Sequence, residues 1–349
     1  MSVSKIGYRL SAIGYRLSAI GYRLSESFSQ KLGLIFRKIT RRINRQHVKI
    51  CTPGTKVYLQ HNIHPSQAGS TYAAEKAFKD LERQKIIFHC YWHGKFGRKQ
   101  AMSVKSLLST QNDYNNEVWL WLDKDSVHEN GNDNPYIQQL AGRVRIIEYA
   151  PELVKSIPAF RKIYFLFGET EDLPLRSDFF RLWVLHEYGG CYFDLDVMFI
   201  RNMRNLFTGD EFVYSWEKQL YANSAIIFLR KGSCLSEYIV RKVTAQLSAK
   251  PWVIFSYDDK NLKYLRLYEC SLFDPIWDDA RESYIFHEFK GFFRANPAIT
   301  NSVIKSPADM FPYSYCYHWH NHWNDAIEPD SPFEFCEKEF DAALGIVNA

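Results

Sequence analysis

Long apolar runs are missing from this 349-residue sequence. No stretch of about 18 consecutive apolar residues occurs, so we expect no membrane-spanning helix. No apolar signal-peptide core is visible either. The seven cysteines are odd in number and include no C-x-x-C pair. This usage disfavours both a zinc site and a disulfide framework, and it favours a reducing compartment.

Acidic residues are absent from one long stretch near the start of the chain. No Asp or Glu lies between Ser27 and Ala74, although the net charge of the whole sequence is only +5. Within this stretch, residues 28–45 place apolar side chains at helical spacing with Lys and Arg between them. A basic amphipathic helix of this kind suits an anionic membrane surface, and it equally suits docking on the protein's own core. No recognised nucleic-acid motif accompanies the charge, so we expect no nucleic-acid partner for this basic amphipathic segment, residues 28–75.

A tandem repeat occupies residues 1–27. The heptapeptide I-G-Y-R-L-S-A begins at Ile6 and at Ile13, and a third copy from Ile20 carries Glu26 in place of the alanine. Three short copies interrupted by glycine are too few for a coiled coil or a solenoid. We therefore predict that this segment is disordered.

Strand and helix patterns alternate from about residue 84 onward. The predicted strands are residues 86–92, 117–123, 144–147, 211–216 and 225–229, and a helix is predicted over 98–109. This alternation is typical of an α/β fold with a mostly parallel sheet, in which ligands bind beyond the carboxyl ends of the strands. With 46% apolar residues, the chain can bury one large core. We predict one α/β domain over 84–325 and a C-terminal tail over 326–349.

The most informative segment is residues 177–196, S-D-F-F-R-L-W-V-L-H-E-Y-G-G-C-Y-F-D-L-D. It predicts a helix that ends at two glycines, followed by a strand that carries Asp194 and Asp196 and continues through residues 197–200. Alternate residues of a strand project to the same side, so the two carboxylates would lie together. Paired carboxylates bind hard divalent cations such as Mg²⁺ or Mn²⁺, although such a pair can also be merely solvated.

The same segment resembles the Asp-x-Asp motif of a sugar-transferase family. This family includes the initiating α-1,6-mannosyltransferases, the α-1,4-galactosyltransferases and the large clostridial glucosylating toxins. The matching residues are Ser177, Asp178, Arg181, Gly189, Gly190, Tyr192, Asp194 and Asp196. The resemblance implies a GT-A type, Rossmann-like fold, a UDP- or GDP-hexose donor, a Mn²⁺ or Mg²⁺ cofactor, and retention of anomeric configuration. The acceptor would be a glycan, a glycolipid or a polysaccharide.

The resemblance also implies roles for the matching residues. Asp196 would hold the metal directly, and Asp194 would hold it through water. Asp178 would accept hydrogen bonds from hydroxyl groups of the donor sugar. Arg181 would add positive charge at the phosphates or hold Asp178 in place, although a helical pair three residues apart is also an ordinary surface ion pair.

Aromatic and amide side chains complete the expected nucleotide site. Trp92, at the end of the first predicted strand, would stack on the base, and Tyr192 would help to frame the nucleotide. A core or rim tryptophan is the alternative interpretation of Trp92. Asn223, just before a predicted strand, corresponds to a family asparagine near the sugar.

Residues 315–323 resemble the family's closing His-Trp-x-x-Ser-Trp element, which returns to the metal and the donor phosphates. His318, Trp319 and Trp323 match this element, whereas His322 stands in the serine position. An imidazole at this position could ligate the ion, so we predict His322 as a metal ligand and Trp323 as part of the substrate site. A stacked surface loop of His and Trp is the alternative.

Two other function classes remain open. A metal-dependent phosphohydrolase could use an Asp-x-Asp strand end, but the haloacid-dehalogenase form needs a hydroxyl residue that Val197-Met198 does not supply. A non-catalytic carbohydrate-binding protein would need no acidic pair. Residues 250–310 lack the family's usual Gly-Pro helix start, and we expect acceptor specificity there. The expected location is cytoplasmic, with the basic segment as a candidate contact to the inner membrane face.

Overall fold

The computed structural model describes residues 85–346 with short gaps. The gaps are residues 113–115, 132, 151–152, 155–157, 162–163, 165–169, 208–209, 217–218 and 278–283. The predictions for residues 1–27 and 28–75 therefore lie outside the described residues. No helix in the described part has the length and apolar content needed to cross a membrane. The cysteines in this part form no disulfide.

A seven-stranded mixed sheet lies at the centre of the fold, in the order β3-β2-β1-β4-β7-β6-β8. Its strands are β1 Ile87–Trp92, β2 Glu117–Asp123, β3 Arg145–Tyr149, β4 Gly190–Phe193, β6 Phe212–Ser215, β7 Ala222–Leu229 and β8 Arg266–Tyr268. Four neighbouring pairs run parallel, and β7 is antiparallel to both β4 and β6. A second sheet pairs β5 Val197–Phe199 with β9 Cys316–His318, antiparallel. The predicted mostly parallel α/β sheet is confirmed.

Helices pack against the sheet and against one another. They are α1 Arg98–Thr110, α2 Lys124–Asn130, α3 Pro135–Gln139, α4 Pro158–Arg161, α5 Leu173–Tyr188, α6 Cys234–Gln246, α7 Pro251–Ile254, α8 Pro297–Thr300, α9 Pro307–Met310 and α10 Pro332–Leu344. Side chains alternate along β1, so Phe88 and Cys90 join the core that contains α1. Tyr91 joins the core that contains α5 and α6. The sheet is thus buried on both faces.

Helix α5 has a defined start and end, because its flanking residues satisfy the helix termini. The Asp172 carboxylate accepts from the Leu175 N–H at 3.1 Å, and Pro174 lies in the first turn. At the other end, Gly190 has φ +106°, and a Cβ added there would lie 2.2 Å from the Ile87 carbonyl oxygen of β1. The glycine pair therefore ends the helix, as predicted, and also lets β4 lie directly beside β1.

The prediction of one continuous strand through both carboxylates is wrong. Strand β4 ends at Phe193, and the Val197 N–H donates to the Asp194 carbonyl at 3.1 Å, which makes a turn. The Asp194 N–H still bonds to Ala225 of β7, but β5 then pairs with β9 instead of a strand of the central sheet. The turn therefore brings the chain from one sheet to the other between the two carboxylates.

The segment predicted as a C-terminal tail contains α10, which packs on α1. Phe333, Cys336 and Phe340 of this helix are buried. The Lys105 ammonium group of α1 lies 2.6 Å from the Asp341 carboxylate, and both side chains are buried. Helix α10 therefore belongs to the same compact unit as the central sheet.

Candidate active site

The candidate site lies where β1 and β4 end. These strands run parallel, with Phe88 opposite Cys191 and His89 opposite Tyr192, so their carboxyl ends share one edge of the sheet. Trp92 is the last residue of β1, and Asp194 directly follows β4. This edge is where open α/β sheets bind ligands.

Arg181 links helix α5 to this edge. Its two terminal nitrogens each lie 3.1 Å from one carboxylate oxygen of Asp194, and the second nitrogen also lies 3.4 Å from Asp178. The Ser224 carbonyl accepts from the same guanidinium at 2.8 Å. Arg181 is buried, so these partners hold a charge that has little access to water.

Tyr192 fixes the Asp194 carboxylate from the opposite side. The Tyr192 hydroxyl donates to Asp194 Oδ1 at 2.8 Å, and the Ser177 hydroxyl lies 3.0 Å from the Tyr192 oxygen. The Arg181 guanidinium lies over the Tyr192 ring, 4.8 Å from its centroid. Protein donors thus reach both Asp194 oxygens, which leaves this carboxylate better placed for a water-mediated contact than for direct metal ligation.

Burial changes the titration of Asp178. Burial raises the pKa of Asp178 to about 6, and the nearby Arg181 offsets only part of this effect. The Asp194 charge raises the pKa of Asp178 further. Asp178 therefore changes its protonation state close to neutral pH, whereas Arg181 stays charged.

Asp196 is buried and faces the C-terminal element. Its Oδ2 accepts from the Asn321 N–H at 2.7 Å and lies 3.2 Å from His318 Nε2. Burial alone would raise the pKa of Asp196, but His318 and the Asn321 N–H lower it to about 2. Burial alone would lower the pKa of His318, but Asp196 raises it to about 9. In this structure the imidazolium is the counter-ion of the carboxylate.

The pairing of β5 with β9 brings His318 to this position. Val197 lies opposite His318 in the register, and the Trp319 N–H donates to the Asp196 carbonyl at 3.0 Å. The closing element therefore returns to the second aspartate of the motif.

A second carboxylate lies behind His318. Asp274 is fully buried, its Oδ2 lies 2.6 Å from His320 Nε2, and the His318 and His320 rings stack with centroids 3.7 Å apart. Among the described residues, Asp274 Oδ1 has no hydrogen-bond partner. His320 has φ +50°, a left-handed conformation that is uncommon for residues other than glycine and frequent at functional sites.

This donor set fits a divalent cation. The Asp196 carboxylate is ionised, and ligand atoms of Asp274, His318 and His320 all lie within 4.8 Å of one another. The unpartnered Asp274 oxygen is a further acceptor without a donor. Carboxylate oxygens suit Mg²⁺ and Mn²⁺, and imidazole favours the more borderline ions, so a mixed set favours Mn²⁺ over Mg²⁺.

Two tryptophans form an aromatic pair beside the carboxylates. The rings of Trp92 and Trp323 pack edge to face, with centroids 4.8 Å apart, and both are only partly buried. The loop that carries Trp323 is fixed by Lys99 of α1, whose ammonium group donates to the carbonyls of His322 and Asp325 at 2.5 and 2.6 Å. Trp92 and Trp323, far apart in the sequence, thus meet at the predicted base-binding position.

Two predicted site residues contact other partners. His322 Nδ1 lies 2.7 Å from Asp325 and its ring stacks against Phe289, whereas His318 is the histidine that lies beside Asp196. The Asn223 carboxamide is buried and accepts from the Ala225 N–H at 2.8 Å, which braces β7.

Sequence reasoning missed Ser224, Asp274 and His320. Ser224 and His320 each had a signal, since Ser224 adjoins Asn223 and His320 alternates with His318 in a strand-like pattern. No sequence signal pointed to Asp274, because it lies in the segment that departs from the family pattern.

Comparison with known families decides between the function classes. Residues 97–213 match the family described as "Glycosyltransferase sugar-binding region containing DXD motif". This segment is similar to the sugar-binding region of DXD glycosyltransferases. The match contains Asp178, Arg181, Tyr192 and both aspartates of the motif. It favours this class over the phosphohydrolase and the non-catalytic binding protein.

Solved glycosyltransferase structures show limited similarity to this chain. PaToxG glycosyltransferase is 18% identical, with 53% of this chain and 74% of that chain covered and a TM-score of 0.40. GlyE from Streptococcus pneumoniae is 14% identical over 75% and 62% of the two chains, with a TM-score of 0.39. Galactosyltransferase LgtC, solved with donor and acceptor sugar analogs, is 9% identical over 76% and 97%, with a TM-score of 0.38. No curated protein matches the chain.

Proposed function

We propose that this enzyme transfers a hexose from a UDP- or GDP-sugar to a glycan, glycolipid or polysaccharide, with retention of anomeric configuration. The observation that carries the proposal is the network in which the buried Arg181 holds the partly buried Asp178 and Asp194 beside Asp196. Retention rests on the resemblance of residues 177–196 to the Asp-x-Asp family.

The nucleotide base fits the aromatic pair. Trp92 and Trp323 are partly buried, and their rings meet at the carboxyl edge of the sheet. A base stacked there would place its diphosphate toward Asp194 and Asp196, because β1 and β4 are neighbours. Tyr192 is buried, so we assign it to holding Asp194 rather than to contact with the base.

The donor sugar fits the Asp178 and Arg181 end of the network. A sugar hydroxyl can donate to the Asp178 carboxylate, and the guanidinium offers positive charge toward the diphosphate. Because Arg181 is already bonded to Asp194 in the protein, it needs little rearrangement when the substrate binds.

A divalent cation, when bound, neutralises the diphosphate and stabilises it as the leaving group. Asp196 and His318 would hold the ion once His318 has released its proton, because an imidazole ligates a metal only in its neutral form, and Asp194 would contact the ion through water. The Asn321 N–H and Tyr192 hydroxyl keep the two carboxylates in their orientations. These residues form the part of the site that binds and orients the donor.

The test is donor turnover without an added acceptor. The full chain is incubated with UDP- and GDP-hexoses and Mn²⁺ or Mg²⁺, and slow release of the nucleoside diphosphate is measured. We expect turnover of at least one donor and its loss in Asp196→Asn, with the fold checked by circular dichroism. The exposed Asp258→Asn is the matched control. No turnover of any donor, or full activity of Asp196→Asn, would contradict the proposal.

The anomeric outcome has its own measurement. Proton NMR recorded before mutarotation identifies the first anomer of the released or transferred hexose. We expect the α anomer from an α-linked donor. Formation of the β anomer first would overturn retention and leave the transferase assignment intact.

Contact with an anionic membrane remains part of the proposal. It rests on the basic composition of residues 28–45. Deletion of residues 1–27 should leave binding to phosphatidylserine-containing vesicles unchanged, and deletion of residues 1–47 should weaken it by about 1 kcal/mol for each lost cation near the surface. If the intact chain fails to bind these vesicles, the membrane contact is excluded.

A further inference from the structure

An open cavity of about 280 Å³ lies beside the C-terminal loop, separate from the Trp92–Trp323 pair. Its lining includes Trp277, His287, Glu288, Phe289, Lys290 and His322. All of them lie outside the segment that matches the glycosyltransferase family. Its volume is near the lower end of the range of about 300–1,000 Å³ for ligand pockets, which suits one sugar ring better than a nucleotide.

Aromatic rings form the walls of this cavity. Trp277 and Phe289 pack edge to face with centroids 5.3 Å apart, and Phe289 stacks against His322 at 5.9 Å. An aromatic face carries negative charge density, and the C–H face of a pyranose is apolar and slightly positive. The walls therefore suit a pyranose lying flat against a ring.

Charged groups of both signs form the rim. Glu288 and Lys290 flank Phe289 in the sequence, and both are exposed, as is His287. A carboxylate accepts hydrogen bonds and an ammonium group donates them, so together they can satisfy the hydroxyls of a saccharide. A purely apolar ligand would form no hydrogen bonds with these groups.

Contacts connect the cavity to the candidate active site. The Trp277 indole nitrogen lies 3.1 Å from His320 Nε2, and the Phe289 ring lies 4.7 Å from the His320 ring. His320 stacks on His318, which lies 3.2 Å from Asp196. One pair of stacked imidazoles therefore separates the cavity wall from the second aspartate of the motif.

We infer that this cavity is the acceptor subsite and that it binds a hexopyranose unit of a saccharide acceptor. The inference rests on the proposed function, because it names the second substrate of the same transfer. A lipid or a peptide acceptor that bears no sugar would not match the walls and rim together. Phe289 supplies the stacking surface, and Glu288 supplies the hydroxyl contact.

The experiment measures saccharide binding by the full chain with saturation-transfer NMR. The probes are the methyl α- and β-pyranosides of glucose, galactose and mannose, with glycerol as a polyol that has no ring face. We expect at least one pyranoside to bind through its ring protons and glycerol not to bind. Phe289→Ala should weaken that binding by at least about tenfold, and Glu288→Gln by at least about threefold.

Matched controls separate this site from folding and from donor chemistry. Glu288 is exposed, so Glu288→Gln tests the rim without disturbing the core. Tyr264→Ala removes an aromatic residue that is 71% exposed and does not line the cavity, and it should bind the pyranoside as the wild type does. The transfer-to-hydrolysis ratio with the bound pyranoside as acceptor should fall at least about tenfold in Phe289→Ala.

The outcomes distinguish the inference from the proposed function. No pyranoside binding, or equal binding by the wild type, Phe289→Ala and Glu288→Gln, overturns the acceptor subsite even if donor hydrolysis is intact. Pyranoside binding that depends on Phe289, in a protein that turns over no nucleotide sugar, supports the saccharide site and contradicts the proposed transferase substrates.

Discussion

Arg181 and Asp194 form a two-pronged ion pair across the junction of α5 and β4. Each terminal guanidinium nitrogen lies 3.1 Å from a different carboxylate oxygen. This planar fork-to-fork geometry is available to arginine and not to lysine. Because Arg181 is buried, its partners Asp178 and Asp194 depend on it for charge compensation.

Replacing Arg181 with methionine should therefore destabilise the protein strongly. Removal of Arg181 leaves two partly buried carboxylates uncompensated, which costs about 3 kcal/mol. Urea unfolding followed by circular dichroism measures this change in the free energy of unfolding. The exposed Lys338, which pairs with Glu334, gives the control Lys338→Met, and its expected change is within about 1 kcal/mol. Equal unfolding midpoints for the two variants would contradict the buried network.

Arg181→Lys tests the geometry of the same pair. It keeps the charge and should recover part of the stability, but it cannot contact both Asp194 oxygens at once. Donor turnover should stay well below that of the wild type even where the variant is folded.

Asp178→Asn should stabilise the fold above pH 6 while it lowers donor turnover. The folded pKa of Asp178 is about 6, above the value of about 3.9 in an unfolded chain, so the folded state binds the proton more tightly. Stability relative to the uncharged Asn variant should therefore fall as pH rises from 4 to 6, by about 3 kcal/mol in total. Arg181, Asp194, Lys250 and Asp172 are the charged groups that act on it.

Urea unfolding of the wild type and Asp178→Asn at several pH values between 4 and 8 gives the difference directly. Other titrating groups cancel because both proteins carry them. A difference that stays constant across this range would show that Asp178 is ionised throughout.

Helix spacing and turn residues were sufficient to predict from the sequence the half of the site that contains Asp178, Arg181 and Asp194. Asp178 and Arg181 share a face because they are three residues apart on a helix, and the glycines that end the helix lead directly into the strand before Asp194. Parallel pairing then places Trp92 at the same edge. Each step uses a spacing or a turn residue that is visible in the chain.

The other half depends on contacts between distant segments. The turn between Asp194 and Asp196 sends the chain into a second sheet, and only the pairing of β5 with β9 brings His318 to Asp196. A period of two predicts which residues share a side of a strand, but it does not predict where the strand stops. The sequence also does not predict which of His318 and His322 lies beside Asp196, since both lie in one short aromatic segment.

Gly190→Ala should destabilise the protein more than Gly232→Ala. Both glycines have positive φ, which costs an alanine about 1–2 kcal/mol, but an added Cβ at Gly232 meets no atom within 4 Å. At Gly190 the Cβ would lie 2.2 Å from the Ile87 carbonyl oxygen, which adds overpacking of about 1–3 kcal/mol. Thermal unfolding of the two variants measures the difference, and equal midpoints would mean that β1 moves away freely.

The last prediction concerns which histidine binds the metal. His318 Nε2 lies 3.2 Å from Asp196, whereas His322 Nδ1 lies 2.7 Å from Asp325, so of these two histidines His318 is in place to share an ion with Asp196. Binding of Mn²⁺ to the full chain, measured by electron paramagnetic resonance of the free ion, should weaken by about 10–100-fold in His318→Asn. Asp196→Asn should weaken binding at least as much, because it removes the ionised carboxylate. His322→Ser is the matched control and should bind Mn²⁺ as the wild type does, with circular dichroism confirming the fold of all three variants. If His322→Ser lost affinity and His318→Asn kept it, the loop would have to rearrange around the ion and the sequence-based assignment of His322 would stand.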